Sequence, residues 1–233
     1  MIPQIIHQIW EECEEPMPHI YKQLSETWKK YHPGWKYEFW NGDRMKDFVN
    51  NNYPHLAEMY FDLKYNIQRW DVIRYLILHK IGGMYIDFDY ECLECFEPYL
   101  TKEKCYFAIE PEEHRHLLKN NICITNALMI TPPSHPFFES VIVHLQKTPV
   151  IYTNDKFDDV LNSTGPRMLS NLYEKFENKN KIHLFSPDLV MPWSLKDVRN
   201  YLNGIADEEM LEKKLEKAIA IHYFYGYWLK NDK

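Results

Sequence analysis

Residues 67 to 89 constrain the fold more than any other stretch of this chain. Ile67, Trp70, Ile73, Leu76, Ile77 and Ile81 recur near helical spacing, Gly82-Gly83 follows, and Met84-Tyr85-Ile86-Asp87-Phe88-Asp89 comes next. Apolar residues three and four apart predict a helix over 67 to 81 that lays its apolar face on a core. Glycine just past the last apolar position stops such a helix. The next six residues read with period 2, which predicts a strand carrying Tyr85, Asp87 and Asp89 on one face and Ile86 and Phe88 on the other. Two carboxylates delivered together at the end of a core strand repel each other unless a cation sits between them. Hard oxygen ligands of this kind suit Mg²⁺ or Mn²⁺, which keep waters and accept substrate phosphates in their remaining positions. The D-x-D spacing alone also occurs on solvated loops, so its weight comes from this position.

The rest of the chain supplies partners for that unit. Residues 2 to 10, IPQIIHQIW, predict a first buried strand in which His7 supports the strand rather than ligating anything. A helix over 17 to 31, a strand over 35 to 40, an Asn41-Gly42-Asp43 turn and a helix over 54 to 63 follow. Further strands are predicted over 104 to 109, 122 to 130 and 181 to 185, with helices over 135 to 147, 166 to 176 and 207 to 218. Residues 147 to 164 read as a surface insertion. Alternating strands and helices point to an α/β sandwich with a mostly parallel central sheet, in which ligands bind beyond the carboxyl ends of the strands. No repeat or linker divides the chain, so residues 1–233 are expected to form one domain.

Charge narrows the function. A net charge of -7 excludes a general nucleic-acid binder, which needs a basic face. A diphosphate substrate would need a cation or placed Arg and Lys residues, because like charges about 4 Å apart repel by roughly 4 kcal/mol at an effective dielectric near 20. Asp71 and Arg74 are three apart on the predicted helix, beside Arg69 and Trp70. They form either a surface ion pair of little worth or a donor site, in which Arg74 supplies positive charge and Asp71 accepts hydrogen bonds from sugar hydroxyls. Cys92 and Cys95 form a C-x-x-C without the second pair a zinc site wants or a redox context. Five cysteines in no disulfide-dense pattern fit a reducing compartment. With no apolar run of about 20 residues, the expectation is a cytoplasmic chain. It extends to peripheral contact with the inner face of the membrane if the acceptor is lipid-linked.

The run Arg69-Trp70-Asp71-Val72-Ile73-Arg74-Tyr75, continued through Gly82-Gly83 to Asp87-Phe88-Asp89, resembles the DXD sugar-binding region of a glycosyltransferase family. That family includes the yeast initiating α-1,6-mannosyltransferases and bacterial capsular polysaccharide glycosyltransferases. Residues 2 to 10 resemble its first strand. The resemblance implies a GT-A, Rossmann-like fold that moves a hexose, with retention, from a nucleotide-sugar donor to a glycan or lipid-linked acceptor in surface polysaccharide synthesis. UDP-hexose is expected ahead of GDP-mannose. The first 90 residues would hold nucleotide sugar and metal, and 91–233 the acceptor side and a closing segment. The resemblance further implies that Trp10, preceded by Ile9, lies on or near the base, and that Asp71 and Arg74 contact the donor sugar, with Tyr85 and Phe88 alongside. Asp89 would be the firmer metal ligand and Asp87 would reach ribose or metal, which makes Asp71, Arg74, Asp87 and Asp89 the catalytic set.

Beyond residue 90, Asn126 resembles part of the family's second core segment, and Thr164-Gly165-Pro166 resembles a loop on the acceptor side. His222 resembles a C-terminal histidine that would serve as a third metal ligand or diphosphate contact, and Trp228 would close over the donor. Tyr227 stands where the family has serine. Two rival functions fit the same residues. One is a glycoside hydrolase, since i,i+2 carboxylates can mimic its separation of about 5 Å; the other is a non-catalytic nucleotide-sugar or glycan-binding protein.

Overall fold

The structure is a computed structural model describing residues 1–11, 16–118, 122–153 and 155–226. Strands run β1 (Ile5–Ile9), β2 (Lys36–Trp40), β3 (Gly83–Ile86), β4 (Tyr90–Cys92), β5 (Cys105–Ile109), β6 (Ile124–Thr131), β7 (Ile182–Phe185) and β8 (Ala220–His222). Helices are α1 (His19–Tyr31), α2 (Gly42–Asn52), α3 (Ala57–Phe61), α4 (Asn66–Ile81), α5 (Arg115–Leu118) and α6 (Pro136–Lys147). They continue as α7 (Lys156–Ser163), α8 (Pro166–Lys175), α9 (Pro187–Val190), α10 (Leu195–Leu202) and α11 (Glu208–Leu215).

Six strands form a central sheet in the order β2-β1-β3-β6-β5-β7, and β4 and β8 pair separately. β1 runs parallel to β2 and β3, β5 runs parallel to β7, and β6 alone opposes its neighbours β3 and β5. The sheet is therefore mostly parallel, and β1, β3 and β5 end on the same edge. The residues just past those ends are Trp10, Asp87 and Glu110.

Alternation along the strands divides the core. Tyr85 of β3 faces α2, α4, α6 and α8 and packs with Leu76, Phe107, Phe138 and Leu169. Met84 and Ile86 face the other way, onto Trp28 of α1, Tyr90, Phe96 and Phe185. α4 departs from the one-sided helix its spacing suggests, since every residue from Asp71 to Leu78 is buried. The sheet lies on one side of α4 and α2, α3, α6 and α7 contact it on others, so its polar residues need partners inside the protein.

Several local expectations need correction. β3 stops at Ile86, and Asp87-Phe88-Asp89 turns the chain into β4, with the Tyr90 amide donating to the Asp87 carbonyl at 3.2 Å. The two aspartates thus reach one site through a turn and not as alternate residues of one strand. Asn41-Gly42-Asp43 opens α2, where the Asn41 side chain accepts from the Arg44 amide, the commonest use of asparagine before a helix. Residues 54 to 63 divide into a short 3₁₀ turn, Pro54–Leu56, and α3. The stretch 147 to 164 contains α7, which buries Asp159, Val160 and Leu161 and so is a packed element. β4, β8 and α10 were not expected; each is short, and length is what periodicity needs. The Cys92 thiol is buried and donates to the Glu94 carbonyl. Among the described residues no helix is long and apolar enough to cross a membrane.

Candidate active site

Gly82 and Gly83 carry φ of 73° and 101°, values that side chains with a Cβ rarely tolerate. A Cβ on Gly83 would stand 2.6 Å from the Ile5 carbonyl oxygen, so glycine lets β3 close against β1. His7 anchors the same junction: its Nε2 lies 2.9 Å from the Gly82 carbonyl and its Nδ1 accepts from Trp40 Nε1 at 3.1 Å. That pairing fixes the neutral tautomer with the proton on Nε2. The supporting role expected of His7 is the one its contacts describe.

Beyond this junction lies a cleft of about 290 Å³ across the carboxyl ends of β1, β3 and β5. Ile9, Trp10, Asp71, Arg74, Tyr85, Asp87, Phe88, Asp89, Asn126, Pro166 and His222 all line it. Thr164 is fully buried behind the wall, and Gly165 caps α8. Trp228 and Tyr227 fall outside the described residues.

On one side of the cleft α4 presents a buried polar network. Asp71 Oδ1 accepts from Asn126 Nδ2 at 2.8 Å, and Oδ2 accepts from the Thr164 hydroxyl at 2.9 Å. Arg74 Nη2 lies 3.4 Å from Asp71, Nη1 lies 3.2 Å from Asp87, and Nη1 also donates to the Asn126 carbonyl at 3.1 Å. The Arg74 guanidinium sits 4.8 Å from the Tyr85 ring, and the Tyr85 hydroxyl donates to Asp87 Oδ1 at 2.5 Å. The surface ion pair admitted by spacing alone is thus a buried Asp71–Arg74 pair that bridges α4 to the partly exposed Asp87 of the D-x-D turn. Burial pushes the Asp71 carboxyl up to about 6, against the opposing pull of Arg74, Thr164 and Asn126. Burial also raises Asp87, against Arg74, while Asp87, Tyr85 and Asp71 outweigh burial and raise Arg74.

The other aspartate has different company. β4 and β8 pair in a register that sets His222 opposite Tyr90, and the Tyr223 amide extends it by donating to the Asp89 carbonyl at 2.8 Å. His222 Nε2 therefore stands 3.1 Å from Asp89 Oδ1, while Asp89 Oδ2 accepts from the Tyr225 amide at 3.0 Å. The His222 ring stacks on Tyr90 at 4.4 Å, and its Nδ1 has no hydrogen-bond partner among the described residues. Burial would raise Asp89, but His222 and the Tyr225 amide hold it below the usual carboxylate range; His222 is raised in turn, Asp89 outweighing burial.

This oxygen and nitrogen pair fits a divalent cation. Two ligands at about 2.1 Å on adjacent vertices of an octahedron stand roughly 3 Å apart, and Asp89 and His222 are at 3.1 Å. Among the described residues no three His, Cys, Asp or Glu side chains converge as a metal cage. An ion held by this pair would draw its remaining ligands from water and phosphate oxygens, as Mg²⁺ and Mn²⁺ do. Asp87 is taken up by Arg74 and Tyr85.

Aromatic rings close the third side. Trp10 meets Tyr21 edge-on at 5.5 Å and Phe88 edge-on at 6.2 Å, and Tyr21 stacks with Tyr225 at 5.9 Å. Tyr21, Glu11, Glu110 and His114 line the cleft too but escaped the sequence reading. Glu110 could have been found, because it follows the strand predicted over 104 to 109. His114 lies in a stretch without periodicity, and only the folded chain brings it to the site.

The family described as "Glycosyltransferase sugar-binding region containing DXD motif" matches residues 18–106. Inositol phosphoceramide mannosyltransferase 2 of Schizosaccharomyces pombe is 31% identical over 179 residues, covering 77% of this chain and 48% of that protein. An uncharacterized glycosyltransferase of Acanthamoeba polyphaga mimivirus is 31% identical over 204 residues, covering 86% of this chain and 77% of its own length. The chain spans about half the length of the fission-yeast relatives it matches. Among solved structures, the UDP-bound glycosyltransferase domain of the YGT toxin superposes with a TM-score of 0.58 at 8% identity over 91% of this chain and 89% of that one. The PaToxG glycosyltransferase gives 0.57 at 16% identity over 91% and 76%. The mixed α/β architecture is accordingly that of the GT-A glycosyltransferases. With a viral relative matched along most of both chains and the D-x-D turn, its Gly-Gly stop and the α4 network in place, this chain belongs to the DXD-containing glycosyltransferase sugar-binding family.

Proposed function

We propose that this protein transfers a hexose from a nucleoside-diphosphate sugar to a hydroxyl acceptor, with Asp89 and His222 holding a divalent cation at the donor diphosphate. The observation that carries this reading is the 3.1 Å approach of His222 Nε2 to Asp89 Oδ1 in the same cleft as the Asp71, Arg74 and Asn126 network. A bound cation would supply neutralising charge to the leaving nucleoside diphosphate. Arg74, fixed by Asp71 and Asp87, adds a second positive charge and cannot swing away. Asp71 is locked by two donated hydrogen bonds and presents a preorganised acceptor edge to sugar hydroxyls. Trp10, with Tyr21 and Phe88 against it, forms an aromatic wall for the base.

Mannosyl transfer by the yeast relatives supports a mannose donor, and with it GDP-mannose over the UDP-hexose favoured from sequence. The UDP bound to the toxin domain supports a nucleoside diphosphate in this cleft. The relatives' inositol phosphoceramide supports a polyol headgroup on a lipid as acceptor, and such an acceptor would place the protein at a membrane surface. Retention of configuration rests on the family resemblance.

Thermal shift with GDP-mannose and a panel of UDP-sugars, with and without Mn²⁺, tests the reading, because a ligand that binds only the folded state raises Tm by mass action. One donor should raise Tm only when Mn²⁺ is present, and that donor should release its nucleoside diphosphate on incubation. Metal-independent binding would remove the cation from the proposal, and binding without release would identify a nucleotide-sugar binding protein.

A further inference from the structure

Glu110 stands just past the end of β5, on the edge where Trp10 and Asp87 follow β1 and β3, and its side chain is 10% exposed toward the cleft. Its Oε2 lies 2.8 Å from His114 Nδ1. His114 Nε2 accepts from the Leu195 amide, the first residue of α10, at 3.0 Å. With Nε2 as acceptor, the neutral imidazole carries its proton on Nδ1 and donates it to Glu110. The imidazole therefore orients the carboxylate from behind, and Glu110 Oε1 has no partner among the described residues. The Phe224 ring, at φ 47°, lies between the two histidines, 5.0 Å from His114 and 4.0 Å from His222. His114 is thus one aromatic ring removed from His222, and Glu110, whose charge helps raise His222, makes no hydrogen bond to the Asp89–His222 pair among the described residues.

Three features decide what this carboxylate meets. Among the described residues no Lys or Arg pairs with it, its one such contact being His114, whose Nε2 accepts from the Leu195 amide, so it disfavours phosphate, whose like charge it would repel. A carboxylate fixed by one oxygen and open at the other is an acceptor for hydroxyl donors. β6 lies between β3 and β5, which puts the two strand ends two spacings, about 10 Å, apart; that reaches past a sugar held at Asp71 and Arg74 to the molecule beyond it.

We infer that Glu110, oriented by His114, binds the hydroxyl of a neutral polyol acceptor, a sugar or cyclitol, opposite the donor sugar. This rests on the glycosyl-transfer reading, since it assigns the second substrate of that reaction. His114 is a positioning residue, because it acts through Glu110.

The test measures nucleoside diphosphate release from the donor found by thermal shift, first in water alone and then with myo-inositol or methyl hexosides as probe acceptors. In Glu110→Gln the polyol KM should rise about ten- to hundredfold, the loss expected for one charged hydrogen bond. Release in water and the donor-dependent Tm shift should stay within about twofold of the parent protein. Glu110→Asp, which keeps the charge, should recover part of the polyol KM and decides the matter if Glu110→Gln does not fold. His114→Ala should raise the polyol KM by a smaller factor. An unchanged polyol KM in Glu110→Gln, or an equal fall in release with and without polyol, would overturn the assignment. So would a parent protein that releases nucleoside diphosphate in water but responds to no polyol. A parent protein that releases none under any condition would overturn the glycosyl-transfer reading, and the acceptor assignment with it.

Discussion

The Thr164 hydroxyl donates to Asp71 Oδ2 at 2.9 Å, joining residues 93 apart in sequence, with Thr164 fully buried and Asp71 at the cleft wall. The Tyr75 hydroxyl donates to the Thr164 carbonyl at 2.7 Å, one helical turn along α4 from Asp71. Thr164 therefore ties the α7–α8 connection to the helix that bears Asp71 and Arg74. In Thr164→Val the shape is kept and one oxygen of a buried carboxylate loses its donor, which costs about 1.5–3 kcal/mol. Urea unfolding should show that loss together with weaker donor binding. A variant as stable as the parent would mean that water replaces the hydroxyl.

The two aspartates of the D-x-D turn should separate experimentally. Asp89 faces His222 and the Tyr225 amide, whereas Asp87 faces Arg74 and Tyr85. Asp89→Asn should abolish the Mn²⁺-dependent rise in Tm and lower nucleoside diphosphate release at least about a hundredfold, the scale of losing a metal-held charge at the leaving group. Asp87→Asn should keep a Mn²⁺ response but lose roughly 1–3 kcal/mol of stability, because it leaves the buried Arg74 with a poorer, partly exposed partner. A full Mn²⁺ response in Asp89→Asn would show that the cation binds elsewhere.

These pairings also show what a sequence can carry. The helix, the Gly-Gly stop and the strand into Asp87 were legible because period, breaker and β propensity agree over twenty residues. The parallel direction of β1, β2 and β3 followed from the helices between them. His222 was legible only through resemblance, since nothing local says that Ala220–His222 pairs with Tyr90–Cys92. Thr164 read as a loop residue because its hydroxyl finds Asp71 only after α7 and α8 have packed, and α7 itself was hidden by the polar residues of 147 to 164 around it. Contacts made across long sequence separations, such as Glu110 to His114 to Leu195, depend on tertiary placement and leave no period to read.

Gly83 provides a test of the backbone under the site. At φ 101°, with a Cβ due 2.6 Å from the Ile5 carbonyl oxygen and 3.2 Å from His7 Nε2, alanine has no space that flexible atoms could clear. Gly83→Ala should lose about 2 kcal/mol or more, combining left-handed strain with separation of β3 from β1. Calorimetry should report the loss, and residual folded protein should bind donor more weakly because Asp87 rides on the shifted strand. Gly34→Ala, where no atom lies within 4 Å, is the control and should be close to neutral.

Acid should weaken the same junction through His7. Burial lowers this imidazole from 6.5 to about 4, and both of its nitrogens are used by the neutral form. The unfolded chain takes up a proton near pH 6.5 that the folded chain refuses until about pH 4, so above pH 6.5 this residue adds no pH dependence. Between those values the unfolded state binds more protons, and stability falls as pH falls, by roughly 3 kcal/mol in all. His32 and His135, also lowered by burial, push in the same direction, so the informative quantity is a difference between proteins. Urea unfolding of the parent and of His7→Gln at pH 7.5, 6 and 4.5 should show the variant less stable at pH 7.5 and the gap narrowing toward pH 4.5. A gap that stays constant across that range would mean that His7 takes up its proton at the same pH folded and unfolded, so that the hydrogen bond from Trp40 to its Nδ1 would be lost near pH 6.5 in the folded protein too.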